Sequence, residues 1–160
     1  MNWSEVFEYK DGVLIWRIKP CKNQNPGMPA GSINKNGYGY ISFLGKKYKA
    51  SHIVWLIFNP GDTITKGEQI DHINHDRSDD RIENLRKTTN KGNSRNRMLR
   101  PSCKSGVMGV YWRSDVGKWK ATIKVDGVEL HLGYFVDIEK AAAARRAAQE
   151  EYNFHENHGK

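Results

Sequence analysis

One polar loop, enclosed by two short apolar segments, constrains the fold more than any other feature of this sequence. Apolar residues flank Asp71 and His72 on both sides, which predicts that this pair lies at the end of a strand. The following residues, through Asp80, are polar and predict a reversal of the chain. Ile82 and Leu85 then return apolar side chains to the core.

Three side chains in and after this loop have the chemistry that phosphodiester hydrolysis requires. Asp71, His72 and Asn93 supply a carboxylate, an imidazole and an amide oxygen, and Asn93 follows Thr89 and Asn90, where a short polar helix is expected to begin. A histidine can deprotonate water near neutral pH, and hard oxygen ligands suit Mg²⁺ or Mn²⁺. Successive strand residues point to opposite faces, so Asp71 and His72 can serve one site only if the strand bends or ends there.

The same loop has features of two other kinds of metal site, a zinc site and a calcium loop. His72 and His75 have a spacing that could begin a zinc site, but no cysteine pair or second histidine pair completes a tetrahedron. A calcium loop that began at Asp71 would place Ile73 and His75 at ligand positions, which excludes it. His75 is expected to be a surface loop residue, with a second base as the alternative. The acidic residues expected to cap or solvate the loop are Asp76, Asp79 and Asp80.

The excess positive charge is concentrated in residues 86–104. This segment holds seven Lys and Arg and no acid, whereas the net charge of the whole chain is +8. A basic run favours a polyanionic partner, because neutralised phosphates release counterions; a solvated linker is the alternative. The chain has no apolar run of about 18 residues and no leader pattern, so we expect a cytoplasmic protein rather than a membrane protein.

The N-terminal part predicts short strands and one helix. The predicted strands cover residues 13–18, 38–43 and 46–50. Leu44-Gly45 is expected to be a hairpin turn, and residues 20–36 a loop. A helix over residues 52–58 is expected to be capped by Ser51. His52, at its start, is interpreted as a structural or phosphate-contacting residue.

The C-terminal part predicts a separate domain after a linker at residues 98–105. The predicted strands cover residues 109–112, 119–125 and 129–133, with Asp126-Gly127 as a hairpin turn. An alanine-rich helix is expected from Asp137 to Tyr152. The alternation of the central strand directs Trp119 and every second residue after it inward, and Thr122 and the lysines outward. In the flanking strands, Val110, Trp112, Leu130 and Leu132 are expected to point inward, which leaves a polar sheet face.

The loop and its flanks resemble the HNH (ββα-metal) nucleases, especially the phage homing endonucleases. The resemblance lies in Asp-His-Ile-Asn-His-Asp from residue 71, Asp-Asp-Arg-Ile-Glu-Asn-Leu-Arg from residue 79, and a later Asn-x-x-Asn. It implies that His72 is the general base, that Asp71 and Asn93 hold one divalent metal, and that Asn84 ties the loop together. The implied metal is Mg²⁺ or Mn²⁺, and zinc is not expected.

Residues 106–152 resemble the Apetala-2/ethylene-response-factor DNA-binding domain. The resemblance lies in Gly106-Val-Met-Gly-Val-Tyr-Trp, Gly-Lys-Trp-Lys-Ala-Thr-Ile, His-Leu-Gly-Tyr-Phe and the alanine-rich helix. It implies DNA binding through a three-stranded sheet, with Glu129 among the matching positions. The side chains expected to contact DNA are Arg86, Arg95 and Arg97 in the basic segment and Tyr111, Arg113, Lys118, Lys120, Lys124 and His131 on the sheet.

These observations predict an α+β protein in three parts. An HNH nuclease domain is expected at residues 1–97, a basic linker at 98–105, and a domain of three antiparallel strands on one helix at 106–160. The predicted function is that of a metal-dependent, site-specific DNA endonuclease of homing type, acting on double-stranded DNA without an obligate protein partner. The alternative is a DNA-binding regulator with an inactive nuclease domain. RNA binding is disfavoured, because the sheet has only scattered exposed aromatic side chains.

Overall fold

The computed structural model describes residues 1–159, the side chains of Lys91 and Ser94 excepted. The helices are α1 (Trp3–Val6), α2 (Ala50–Phe58), α3 (Asn90–Ser94) and α4 (Ile138–Glu151), with a 3-10 turn at Ile82–Asn84. The strands are β1 (Phe7–Lys10), β2 (Val13–Trp16), β3 (Ser32–Ile33), β4 (Gly39–Phe43), β5 (Lys46–Lys49), β6 (Glu68–His72), β7 (Leu85–Thr89), β8 (Val110–Arg113), β9 (Lys118–Val125) and β10 (Val128–Phe135). This mixture confirms the predicted α+β class. No helix in the described range is long and apolar enough to cross a membrane.

The chain divides into two compact units, Met1–Asn90 and Lys91–Lys160. In the second unit, the backbone carbonyls of Arg95 and Arg97 accept hydrogen bonds from the N–H groups of His155 and Gly159, at 3.1 and 2.7 Å. The C-terminal residues therefore hold the segment that the sequence analysis assigned to the nuclease domain. A pairing between residues so far apart in the chain leaves no local sequence signal. The division into a nuclease domain, a linker and a DNA-binding domain stays a prediction.

The core of the first unit is aromatic and β-branched. Five side chains, none more than 1% exposed, form its centre: Phe7, Trp16, Ile41, Ile53 and Val54. The last two come from α2, whose buried positions follow the helical period. The predicted cap of this helix is wrong. α2 begins at Ala50 after Lys49, and Ser51 is buried inside the first turn, because the strand β5 runs directly into the helix.

Two tight turns shape the small sheets of this unit. Leu44 and Gly45 have φ values of 49° and 72°, which confirms the predicted β4–β5 hairpin turn. Asp11 and Gly12 form the same kind of turn, with φ values of 45° and 87°, between β1 and β2. The strand β1 was not predicted, although Asp-Gly is a strong hairpin signal. The sheet β3-β4-β5 is antiparallel throughout.

The strands β6 and β7 form the hairpin that carries the polar loop. β6 ends at His72, as predicted, and Asp71 lies opposite Arg86 in the antiparallel register. The strand β7 was not predicted, since its residues after Leu85 are polar or charged and show no apolar alternation. The short helix α3 follows β7 at the predicted position.

In the second unit, three strands in the order β10-β9-β8 pack against α4. Asp137 caps this helix by accepting a hydrogen bond from the N–H of Glu139 at 2.8 Å, which confirms the predicted start. The small core includes Val110, Ala121 and Ala141. Trp112 was expected to point inward but is 48% exposed, and its ring contacts Trp119 at the edge of this core.

A bulge in β10 changes which of its side chains face the solvent. The register pairs His131 with Thr122 and then Gly133 with Ala121, so Leu132 is the additional residue. Beyond the bulge the alternation is reversed, and Tyr134 lies beside Lys120 on the outer side. Thr122 was expected to be exposed but is buried, with its N–H bonded to the carbonyl of Gly109 at 2.8 Å.

Candidate active site

The predicted general base, His72, is held by a buried carboxylate. His72 is 4% exposed, and its Nε2 lies 2.9 Å from Oδ1 of Asp80, which is 5% exposed. Burial raises the pKa of Asp80, and the hydrogen bond with His72 opposes that rise. When Asp80 is ionised, the ring proton lies on Nε2 and Nδ1 is the basic nitrogen. The pair therefore sets the tautomer that a general base needs.

Glycine residues create the space that Asp80 occupies. A Cβ atom on Gly39 would lie 3.0 Å from Oδ2 of Asp80, so a larger residue at this point of β4 would displace the carboxylate. The β1–β2 turn supports the same segment, because a Cβ atom on Gly12 would lie 3.0 Å from the backbone nitrogen of Arg81. Tyr9 adds a hydrogen bond, accepted by its hydroxyl from the N–H of Ile82 at 3.1 Å.

The contact of Asp80 with His72 was not predicted from the sequence. Asp80 was expected, together with Asp76 and Asp79, to cap or solvate the loop, and for the other two the structure agrees. Asp76 accepts hydrogen bonds from the backbone and hydroxyl of Ser78. Asp79 binds the guanidinium of Arg81 at 2.7 Å, which lowers the pKa of Asp79 to about 2. No local pattern separates Asp80 from its neighbour, since only the packing of distant strands buries it.

Asn84 is buried and fastens both ends of the polar loop. Its Nδ2 donates to the carbonyl of Asp79 at 2.8 Å, and its Oδ1 accepts from the N–H of Asn74 at 3.0 Å. Its own carbonyl accepts from the N–H of Ile73 at 2.9 Å. These bonds join the residues after His72 to the residues before β7, so the loop keeps one conformation.

The predicted metal ligand Asp71 is paired with a cation. Both Nε and Nη2 of Arg86 donate to Oδ2 of Asp71, at 3.1 and 2.9 Å. Arg86, which was predicted to contact DNA, therefore holds the carboxylate of Asp71 beside His72 in the chain. This arrangement orients Asp71 and partly neutralises its charge.

The other predicted ligand, Asn93, lies in α3, which extends past the end of the first unit. Within residues 1–159, no group of three or more His, Cys, Asp or Glu side chains could by itself hold a metal ion. The chemistry of the two predicted donors nevertheless fits a hard divalent ion, since a carboxylate and an amide supply oxygen atoms.

His52 lies in the first turn of α2 and titrates far from its ordinary range. Burial, with the nearby charge of Lys49, lowers the pKa of His52 to about 4. The imidazole is therefore neutral at physiological pH. This result supports the structural interpretation of His52 over a cationic contact with phosphate.

The DNA-binding side chains that were predicted on the sheet of the second unit share its outer face. The register aligns Tyr111, Lys120 and Tyr134 in one row across the three strands. Lys118 and Lys124 are exposed on either side of this row, as is His131. Tyr134 was missed by the sequence analysis, because the bulge that turns it outward cannot be read from strict alternation.

Several of these cations already contact acidic groups of their own unit. Arg113 binds Asp115 through two hydrogen bonds at 2.8 and 2.7 Å. Lys120 lies 3.5 Å from Glu129, and Arg95 lies 3.7 Å from Asp126. In the described part of the second unit, no ion pair is found for three other predicted DNA contacts: Arg97, Lys118 and Lys124.

The segment that carries the polar loop is similar to a known protein family. Residues 48–95 match the family model described as HNH endonuclease. The chain is also 37% identical over 83 residues to Protein 3.8 of Escherichia phage T7, an alignment that covers 50% of this chain and 67% of that protein. No solved structure matches the chain. The chain therefore belongs to the family of Protein 3.8 of Escherichia phage T7, with an HNH endonuclease family domain at residues 48–95.

Proposed function

We propose that this protein is a metal-dependent, site-specific DNA endonuclease of homing type. The observation that carries the proposal is the pair of His72 and Asp80, which lies inside the HNH endonuclease match. A buried imidazole with one nitrogen held by a carboxylate is suited to accept a proton from water. The proposed substrate is double-stranded DNA, since members of the matched family are endonucleases and the chain has a net charge of +8.

The proposed reaction is the hydrolysis of one phosphodiester bond. Nδ1 of His72 accepts a proton from a water molecule, whose oxygen attacks phosphorus. Asp80 stabilises the imidazolium that forms, and the hydrogen bonds of Asn84 keep the loop in place during this step. The bond from phosphorus to the 3′ oxygen breaks, the 3′ oxygen takes a proton from solvent, and the products are a 5′ phosphate and a 3′ hydroxyl.

A divalent metal, Mg²⁺ or Mn²⁺, is part of the proposal. Asp71 and Asn93 would hold it, with Arg86 orienting the carboxylate of Asp71. When bound, such an ion neutralises charge on the non-bridging and leaving oxygens of the phosphodiester.

The second unit is proposed to find the cleavage site, in the manner of an Apetala-2-like domain. A twisted three-stranded sheet can enter the major groove, and the outer face of this sheet carries lysine, arginine, tyrosine and histidine side chains. The basic segment 86–104, which links the polar loop to the sheet along the chain, would contact the DNA backbone. The proposed setting is the cytoplasm of a phage-infected or bacterial cell.

One observation favours a second candidate, a DNA-binding regulator with an inactive nuclease domain. Arg86 already partly neutralises the carboxylate of Asp71, and a domain that binds no metal needs such a cation in its place. The complete set of Asp71, His72 and Asn93 favours the nuclease, since an inactive domain has no need of them.

Incubation of the full chain with supercoiled host and phage DNA tests the two candidates. The nuclease predicts nicked or linear products with Mg²⁺ or Mn²⁺, none with EDTA, and 5′ phosphate ends that DNA ligase can rejoin. Gel-shift binding to the same DNA, with no cleavage under any metal, would overturn the nuclease in favour of the regulator.

A further inference from the structure

A long segment of the first unit carries basic residues only. Residues 12–61 contain seven Lys and Arg and no Asp or Glu, which equals the excess charge of the basic segment 86–104. In the first unit as a whole this excess is hidden, because the acidic residues lie before and after the segment. An acid-free stretch of this length concentrates positive potential wherever the fold gathers its side chains.

The sheet β3-β4-β5 gathers part of this charge on its outer face. The register places Tyr40 opposite Lys49 and Ser42 opposite Lys47. The alternate residues of β4, Ile41 among them, are buried in the core of the unit. Tyrosine, serine and lysine side chains therefore share the face that points away from the core.

Aromatic rings, rather than carboxylates, hold the cations on this face. Nζ of Lys47 lies 4.6 Å from the ring centre of Tyr40, and Nζ of Lys49 lies 5.1 Å from that of Tyr38. The guanidinium carbon of Arg77, from the polar loop, lies 5.0 Å from the ring centre of Tyr38. Among the described residues, none of these three cations forms a salt bridge, unlike Arg86 and Arg113. Their charges thus stay available to an anionic partner.

The same face reaches the candidate active site. The ring centre of Tyr38 lies 6.1 Å from that of His72, so the cations over Tyr38 lie close to the proposed base. A polyanion that bound Lys47 and Lys49 would pass beside His72.

We infer that Tyr38, Tyr40, Lys47, Lys49 and Arg77, called here the Tyr–Lys face, form a DNA-backbone binding surface that leads duplex DNA to His72. The inference rests on the proposed function for its substrate. Phosphate contact is favoured over base stacking, because cations already cover faces of both rings. The surface is additional to the sheet of the second unit, and it supplies affinity that does not depend on base sequence.

The test compares two double variants of the full chain that remove the same charge. One is Lys47→Ala with Lys49→Ala, and the control is Lys10→Ala with Lys66→Ala, which are exposed residues of β1 and of the loop before β6. Binding to a labelled duplex is measured by fluorescence anisotropy in EDTA over a range of salt concentrations. If each lysine neutralises one phosphate, the first variant lowers the salt slope of log K by about 1.8 and weakens binding about tenfold or more at 0.1 M salt. The control keeps the wild-type slope.

The outcomes separate this inference from the proposed function. Equal slopes for the wild type and the Lys47/Lys49 variant would overturn the Tyr–Lys face and leave the nuclease intact. Loss of affinity for a single-stranded RNA competitor, with duplex affinity unchanged, would also overturn it in favour of an RNA surface. Wild-type protein that binds and does not cleave would overturn the nuclease only. Circular dichroism of both variants checks that the substitutions leave the fold intact.

Discussion

The β6–β7 hairpin and the β8–β10 sheet are both antiparallel and both rich in polar side chains, but they use them in opposite ways. In the hairpin, His72, Asp80 and Asn84 are each less than 8% exposed, and they bond to the protein itself. In the sheet, Lys118 and Lys124 stand in solvent. Buried polar groups hold one geometry at a cost in desolvation, whereas exposed charges act at a distance and adapt to a partner. The first arrangement suits chemistry, and the second suits binding.

Removal of the proposed base is expected to have the largest effect. His72→Ala should lower the cleavage rate by roughly 10²–10⁴-fold, the usual range for a positioned acid–base group, while DNA affinity stays within about twofold. Single-turnover cleavage and anisotropy binding measure the two quantities. His75→Asn is the control, because His75 is a loop residue whose positive φ of 68° asparagine tolerates. A parallel loss of binding would break the comparison, since the hairpin would then serve both purposes.

Disruption of the loop anchor is expected to have the next largest effect. Asn84→Ala removes the two side-chain hydrogen bonds that join the backbone of Asn74 to that of Asp79, which should cost about 2 kcal/mol of unfolding free energy. Thermal unfolding by calorimetry measures the change. Asn23→Ala is the control, since Asn23 is exposed and should shift stability by no more than about 0.5 kcal/mol. Equal melting temperatures for the two variants would contradict an anchoring role.

Exposed lysines of the second unit are expected to affect binding alone. Lys118→Ala with Lys124→Ala should weaken DNA binding by about 1.5 kcal/mol and lower the salt slope by about 1.8, while stability changes little. Lys140→Ala, on the helix that covers the other side of the sheet, should leave both unchanged. Titrations of DNA binding at several salt concentrations measure the affinity and the salt slope of both variants. A change in melting temperature as large as that of Asn84→Ala would remove the contrast between the two regions.

Acid titration is expected to reveal the smallest effect. Arg81 holds the pKa of Asp79 at about 2, below the ordinary 3.8, so this pair stabilises the protein above pH 4 and the contribution is lost as the pH falls from about 4 to 2. Asp79→Asn should therefore cost about 0.5 kcal/mol near pH 6 and nothing near pH 2, given that the arginine is half exposed. Melting temperatures at the two pH values measure this difference. A constant difference at both would show that the charge of Asp79 does not contribute.

Much of the fold could be predicted, because local patterns report local structure. The Leu44-Gly45 turn, the strand end at His72 and the capped start of α4 all follow from residue types at fixed spacings. The errors have a shared cause. Ser51 was assigned as a cap although β5 runs into α2, and the bulge at Leu132 reverses the faces that strict alternation predicts. In both cases the connection to a neighbouring element overrides the local preference.

The sequence by itself determined the α+β fold class, the place of the polar loop and the candidate site residues Asp71, His72 and Asn84, since these depend on neighbours along the chain. Only the tertiary structure decided that Asp80 meets His72, that Arg86 meets Asp71 and that lysines lie over tyrosine rings. Those pairings depend on which strands pack together and exclude water. Burial strengthens electrostatic interactions, and burial is a property of the packed chain rather than of any single segment.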